Sequence, residues 1–235
     1  MKSIKAQKAK QQQYYADRGQ EPSLESTPDP RLYKANPLLI INQEKFREEV
    51  EALKGKSFDE KAKLKRNLLA RYNDQINAYI RTGQGQNELF AYAVQWCFDV
   101  GDLDRYIRMT DIAMNRGVKP VVRSNKTFEE CLRYDILDWA DAQHKENNSC
   151  EPYLSLVMTR IKDWSKIPEK QRSSFWYLKF HNTLRFETIE DAIAVGKVAL
   201  KEHDAQVKTK LRDLFLERWG KEKGKEKWDE FIKGE

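Results

Sequence analysis

Cysteine, proline and glycine are all scarce in this chain, and each scarcity limits the kinds of fold and site that the chain can form. The 235 residues include only three cysteines, Cys97, Cys131 and Cys150, which lie far apart and outside any Cys-x-x-Cys spacing. This pattern argues against a disulfide scaffold or a zinc site and predicts reduced thiols in a cytoplasm. Seven prolines and ten glycines leave room for long helices.

Long apolar runs and nucleotide-binding loops are missing as well. No stretch approaches the roughly 18 consecutive apolar residues of a membrane span, so we predict no contact with a membrane. The basic N-terminus lacks the apolar segment of a signal peptide, which predicts an intracellular protein. Without a G-x-x-x-x-G-K-[ST] loop, the chain is not expected to be an ATPase, and no cofactor is predicted.

Charged residues are abundant, and their distribution along the chain is more informative about DNA binding than the net charge is. Charged residues make up 34% of the chain, with a net charge of +6. Residues 1–20 hold five basic residues against one acidic, residues 54–71 hold seven against two, and residues 116–126 hold four and no acid. Basic clusters of this kind can neutralise DNA phosphates, although a solvated tail explains the first equally well. The candidate phosphate contacts, in order of expected importance, are Lys61, Lys65 and Arg66, then Lys5, Lys8 and Lys10, then Arg116, Lys119, Arg123 and Lys126.

Helix signals and prolines predict four segments and an all-α fold. Residues 1–37 form a disordered basic arm with a proline-rich linker, and residues 38–82 a long N-terminal helical pair. Residues 83–219 form a core of antiparallel helical hairpins with a loose, repeat-like character, and residues 220–235 a charged C-terminal tail. Two capping boxes support the helices, Ser57-x-x-Glu60 and Thr127-x-x-Glu130.

The helical pair carries a narrow apolar seam on otherwise charged helices. Such seams suit an antiparallel coiled pair or a subunit interface, so we predict a homo-oligomer. The alternative is that the two helices simply lie on the main core. The seam residues are Phe46, Val50, Leu53, Leu64 and Leu68.

The clearest helical hairpin runs from Gly83 to Pro120. Asn87 and Asp102 are placed to cap two successive apolar-periodic helices, and Gly101 and Gly117 are placed to end them. This segment resembles the small terminase subunit of P2-like tailed bacteriophages, often catalogued as the terminase endonuclease subunit. The resemblance covers roughly residues 64–214 and rests on Gly83, Gly85, Asn87, Trp96, Asp99, Gly101, Asp102, Asp111, Ala113, Gly117, Pro120, the run Thr127, Phe128, Glu129 and Glu130, and the region with Asp163, Trp164, Pro168 and Glu169.

The resemblance implies a function in viral genome packaging. A small terminase subunit is expected to bind double-stranded viral DNA at the packaging site, in the host bacterial cytoplasm, and to present it to the large terminase subunit. That larger partner would cut the DNA and translocate it into the capsid. Relatives often end in a basic tail, whereas residues 217–235 here hold six basic and six acidic residues. The resemblance therefore does not indicate which part of this chain binds DNA.

Two other functions stay open. The chain could itself be an endonuclease, which would require Mg²⁺ held by clustered carboxylates. The nearest candidates match no metal-binding spacing, and the catalytic residues are unknown. The third possibility is a helical-repeat adaptor that binds proteins and no DNA. The carboxylate and histidine candidates are Asp99, Asp102, Asp104, Asp135, Asp138 and His144.

Overall fold

The computed structural model describes residues 43–83, 85–203 and 206–234, and in those residues the fold is all-α, as predicted. The arm and linker predicted for residues 1–37 lie outside the described residues. Within them there is no β-strand, and none of the helices has the length and apolarity of a membrane span. A 3₁₀ turn lies at Trp164–Lys166. The α-helices are α1 Gln43–Glu51, α2 Phe58–Arg71, α3 Asn73–Thr82, α4 Glu88–Asp99, α5 Leu103–Asn115, α6 Phe128–Lys145, α7 Tyr153–Met158, α8 Glu169–Phe186, α9 Ile189–His203, α10 Lys208–Trp219 and α11 Lys221–Lys233.

The described residues separate into two compact units, and the division falls within α6, between Arg133 and Tyr134. We call residues 43–133 the N-terminal unit and residues 134–234 the C-terminal unit. The division lies inside the segment that the sequence analysis treats as a single core, residues 83–219. Each unit has a buried apolar interior of its own.

Aromatic side chains hold the N-terminal unit together. Phe46 of α1 is 1% exposed, and its ring centre lies 5.5 Å from that of Tyr72 and 6.1 Å from that of Trp96. Tyr79 and Phe90 form a second pair, 4.6 Å apart, between α3 and α4. Aromatic rings at these separations add favourable edge and face contacts to the free energy of burial. The short helix α1 therefore packs on α2 and α4.

The predicted helix caps are present. Asn87 Oδ1 accepts from the N–H of Phe90 at 2.8 Å, and Asp102 Oδ1 accepts from the N–H of Arg105 at 3.2 Å. Gly101, between α4 and α5, has φ +81°. Glycine adopts this left-handed conformation without the steric strain that a Cβ would cause. Both capping boxes are closed as well: the Ser57 N–H donates to Glu60 at 2.9 Å and the Thr127 N–H to Glu130 at 2.7 Å.

The N-terminal helical pair predicted for residues 38–82 is three helices instead. Helix α1 ends at Glu51. Helices α2 and α3 are separated at Tyr72, whose backbone angles, φ −94° and ψ 12°, are not those of an α-helix. Tyr72 donates its hydroxyl proton to Glu49 at 2.7 Å and lies against Phe46, so its side chain is fixed by α1. The apolar period continues through this break, which is why the pattern alone predicts one helix.

The C-terminal unit is built on α8–α11. Its interior cluster includes Phe180 from α8, Ala192 from α9 and Phe215 from α10, each 1% exposed or less. The turn before α7 is joined to α8 by a half-buried ion pair between Glu151 Oε1 and Lys179 Nζ at 2.9 Å. Glu151 also accepts from the Ser155 hydroxyl at 2.7 Å, so the buried carboxylate is hydrogen-bonded as well as paired.

The tail predicted for residues 220–235 is wrong as a structural description. Residues Lys221–Lys233 form helix α11, and Trp228 packs into the interior with 6% of its surface exposed. The ring centre of Trp228 lies 5.5 Å from that of Phe215. The segment was predicted to be a tail because its basic and acidic residues balance and its apolar residues are few. Gly224, Trp228 and Phe231 nevertheless recur at helical spacing and form a stripe that faces the interior.

Gly224 allows the close approach of α10 and α11. A Cβ at this position would lie 2.5 Å from the Phe215 carbonyl oxygen and 2.8 Å from the Leu216 Cα, and both are backbone atoms. We expect Gly224→Ala to lower the free energy of unfolding of the C-terminal unit by about 2 kcal/mol, because overpacking outweighs the higher helix propensity of alanine. Urea unfolding followed by circular dichroism measures the change, with Lys223→Ala as the control at an exposed position. A stabilised Gly224→Ala protein would contradict the close packing.

The half-buried imidazole of His181 is expected to make the folded protein less stable in mild acid. Burial, reinforced by the neighbouring His144, Arg185 and Lys210, lowers the pKa of His181 to about 4. The unfolded chain binds a proton near pH 6.5 and the folded chain does not, so stability falls as the pH falls from about 6.5 toward 4. We expect a decrease of about 1 kcal/mol between about pH 7 and pH 5, allowing for partial exposure of the ring. In urea unfolding at the two pH values, His181→Phe should show a smaller decrease than the parent; an equal decrease would contradict this role.

Candidate nucleic-acid interface

Helix α2 presents two faces with different basic residues. Lys63 and Arg66 are exposed, and Lys56 is exposed in the turn that leads into the helix. Lys61 and Lys65 are half-buried on the side that also carries Leu68. A helix turns 100° per residue, so Lys63 and Arg66 lie one turn apart on one face. We call Lys56, Lys63 and Arg66 the basic face of α2.

Lys65 has a structural contact that the sequence does not reveal. Its Nζ lies 2.6 Å from Asp99 Oδ2 at the end of α4, and the two side chains are only 17% and 25% exposed. An ion pair at such a position ties α2 to α4, and reversing one of its charges would leave the other partly buried and unpaired. Arg66 also donates to the Val100 carbonyl oxygen, but this contact is long, at 3.4 Å, and the side chain is exposed. The structure therefore favours Arg66 over Lys65 as a contact to DNA.

Lys56, Lys63 and Phe58 are not among the DNA contacts predicted from the sequence, yet they lie together at the start of α2 and on its exposed face. Phe58, the first residue of α2, is 76% exposed, the most exposed large apolar side chain in the described residues. Aromatic side chains beside basic ones can stack on bases or insert between them. The signal for Lys63 is available in the sequence, because Leu64, Leu68 and Leu69 mark the buried side of α2 and the opposite side falls at Lys63 and Arg66.

Arg116, the first residue of the predicted basic loop, is committed to the fold. Its guanidinium donates to the carbonyl oxygens of Tyr79 and, at 2.6 Å, of Ile80, the last turn of α3. It also lies over the Tyr79 ring, 5.1 Å from its centre. A cation that satisfies the free carbonyls at a helix C-terminus stabilises that helix. Arg116 is thus a capping residue rather than a free phosphate contact.

The loop after Arg116 is held in place by Gln86. The Lys119 N–H donates to Gln86 Oε1 at 2.8 Å, and Gln86 Nε2 donates to the Lys119 carbonyl oxygen at 3.3 Å. The Lys119 side chain is exposed, whereas Arg123 and Lys126 are half-buried and have contacts within the protein. Of the four predicted loop residues, Lys119 is therefore the best placed for an external anion. Lys5, Lys8 and Lys10 lie outside the described residues.

The apolar seam predicted as a subunit interface is largely interior. Phe46, Leu53 and Leu68 are 1%, 8% and 5% exposed within the single chain. Val50 and Leu64 are half-buried. The exposed seam that motivated the prediction is therefore absent, and these burials favour the alternative in which the helices lie on the core. Self-association itself stays a prediction.

The carboxylates considered for catalysis do not gather in the described residues. Asp99 pairs with Lys65, and Asp102 caps α5. Across residues 43–83, 85–203 and 206–234, no three His, Cys, Asp or Glu side chains are arranged to hold a metal ion. None of the three buried cysteines forms a disulfide, and burial raises the pKa values of Cys97 and Cys150 to about 12, so neither of these two is a thiolate near neutral pH.

Comparison with known proteins identifies the class of this helical protein. The sequence model of the family "Phage small terminase subunit" matches residues 43–170, from the start of α1 into the first turn of α8. This match covers more than half of the chain. The chain therefore belongs to the phage small terminase subunit family. Helices α9–α11 and most of α8 lie beyond the matched residues.

One curated relative is similar over part of its length. It is the "Probable terminase, endonuclease subunit" of Haemophilus phage HP1 (strain HP1c1), 24% identical over 95 residues. The similarity covers 40% of this chain and 34% of the relative, so the chain spans about a third of that protein. No solved structure matches the chain. The comparisons confirm the predicted family, whereas the P2-like subgroup stays a prediction.

Proposed function

We propose that this protein is the DNA-recognition subunit of a phage terminase. In this role it binds double-stranded viral DNA at the packaging site and presents it to the large terminase subunit. Membership of the small terminase subunit family is the observation that carries the proposal. The second support is the basic face of α2, which lies inside the matched residues and is exposed.

The basic face of α2 suits contact with the DNA backbone. Lys63 and Arg66 are one helical turn apart, and the exposed Phe58 is at the start of the same helix. Cations on a rigid helix lose little conformational entropy when they meet phosphates. The exposed Lys119 can add a contact from the loop that Gln86 holds, and the basic residues of the N-terminal arm remain proposed contacts.

A second candidate function is DNA cleavage by this chain itself. The HP1 relative is named as a probable endonuclease subunit, which favours this function. Cleavage would need Mg²⁺ held by carboxylates, and among the described residues Asp99 and Asp102 already serve in an ion pair and a helix cap. We therefore propose recognition as the function of this chain and assign cutting to the complex with the large subunit.

The test of the proposal is DNA binding and cleavage by the purified full chain. Fluorescence anisotropy with a labelled packaging-site duplex and a scrambled duplex should show binding to both, tighter to the first, with affinity that falls as salt rises. Incubation with Mg²⁺ should give no cleavage by the chain alone and cleavage when the large subunit and ATP are added. Absence of DNA binding at low salt would support the adaptor function, and Mg²⁺-dependent cleavage by the chain alone would support the nuclease.

A further inference from the structure

The C-terminal unit has a surface cleft beyond the residues that match the family. It lies between α9, α10 and α11 and has a volume of about 230 Å³. The space is enough for one or two side chains of another molecule. The residues that matter for its chemistry are Lys197, Lys201, Lys227, Trp219, Phe231 and Glu230.

Three ammonium groups converge on the aromatic side chains of this cleft. The Nζ atoms of Lys197 and Lys201, one turn apart on α9, lie 5.5 and 4.7 Å from the centre of the Phe231 ring. Lys227 Nζ lies 5.5 Å from the centre of the Trp219 ring. In the described part of the chain, none of these three lysines forms an ion pair, and one carboxylate, that of the exposed Glu230, lines the cleft.

Among the described residues, the cluster brings three ammonium groups and one carboxylate into a partly desolvated place. Lys197 and Lys227 are half-buried, and three ammonium groups beside apolar rings repel one another more strongly than they would in open solvent. An anion among them relieves that repulsion and accepts charge-assisted hydrogen bonds. The cleft therefore has the chemistry of an anion site with an apolar wall.

The surroundings favour a compact carboxylate over a nucleic acid. The accessible rings are already covered by ammonium groups, so a base could stack on Phe231 or Trp219 only by displacing them. An extended phosphate backbone that followed α11 would meet four exposed acids as well as the lysines of this helix, whereas a single carboxylate in the cleft is near one of those acids, Glu230. Those acids are Glu222, Glu226, Asp229 and Glu230.

We propose that this cleft binds an acidic segment of a protein partner. One aspartate or glutamate carboxylate of the segment lies among Lys197, Lys201 and Lys227, whose ammonium groups keep their places over the rings of Phe231 and Trp219. Charge complementarity then selects the partner, and the carboxylate binds without displacing the lysines from the rings. The family match ends in α8, so this proposal concerns a part of the chain that the proposed DNA-recognition function does not use.

The probe is a fluorescein-labelled short peptide in which glutamates flank a single leucine. Its binding to the full chain is measured by fluorescence anisotropy, beside a matched peptide with glutamine in place of glutamate. We expect the acidic peptide to bind and Lys201→Gln/Lys227→Gln to weaken it about tenfold. Lys223→Gln/Lys225→Gln is the control on α11, with the same loss of charge at two exposed positions outside the cleft, and it should leave the affinity within about twofold of the parent.

Three outcomes would overturn the proposal. The first is an acidic peptide that fails to bind, or binds equally to the parent and to the cleft variant. The second is inorganic phosphate that displaces the peptide at equal concentration, which would mark a site for small anions only. The third is a short DNA duplex whose affinity falls in Lys201→Gln/Lys227→Gln but not in the control, which would mark a DNA site. Duplex affinity unchanged in both variants supports a peptide site and leaves DNA recognition to α2.

Discussion

Leu68→Lys is expected to unfold the N-terminal unit rather than to dissociate an oligomer. Leu68 is 5% exposed on the inner side of α2, so lysine would put an unpaired charge into the interior and remove a packed side chain. The expected loss is about 4 kcal/mol, a large part of the roughly 5 to 15 kcal/mol by which folded proteins are stable. Circular dichroism during urea unfolding should show an early transition or a loss of helix signal at low urea.

Leu64→Lys is the matched comparison on the same helix. Leu64 is half-buried, so a lysine there can extend its ammonium group into solvent and should cost about 1 kcal/mol. Light scattering on both variants separates packing from assembly. If Leu68→Lys keeps full helix content and only halves the particle mass, the seam is a subunit interface after all, and the interior role assigned to Leu68 is wrong.

Charge reversal on the basic face of α2 is expected to weaken DNA binding about a hundredfold at low salt. Lys56→Glu, Lys63→Glu and Arg66→Glu together remove three phosphate contacts and introduce repulsion. The three side chains are exposed, so helix content should stay at the parental level. Lys65 is left unchanged in this design, because its ion pair with Asp99 would make a loss of binding ambiguous.

The control for this variant reverses three lysines of α11. Lys221→Glu, Lys223→Glu and Lys225→Glu change the net charge by the same amount at exposed positions outside the cleft and outside the basic face of α2. A general electrostatic effect would weaken binding in both triple variants. A site on α2 predicts a large decrease in the first and a decrease of less than about threefold in the second.

The fold was predictable wherever a local signal agreed with the final packing. Asn87, Asp102 and the two capping boxes define helix starts through backbone groups within three residues, so no distant contact is needed. Helix α11 was missed because its charges balance and its apolar residues are few. Only the packing of Trp228 on Phe215 and the close approach at Gly224 show that it belongs to the interior.

The candidate site was predictable as a region but not residue by residue. Charge counts point to residues 54–71, yet they do not show which lysines face inward. The ion pair of Lys65 with Asp99 and the contact of Arg116 with the last carbonyls of α3 join residues more than thirty positions apart. Such pairings depend on how helices pack, and no spacing within a single helix reveals them.

The salt dependence of DNA binding is the most direct measurement of the central claim. The logarithm of the association constant for a packaging-site duplex is plotted against the logarithm of salt concentration for the parent and both triple variants. We predict that reversal on α2 makes the slope shallower by about 2.7, or about 0.9 for each of the three lost phosphate contacts, and that reversal on α11 leaves it unchanged. Equal slopes for the parent and the α2 variant would contradict the claim that this helix recognises DNA.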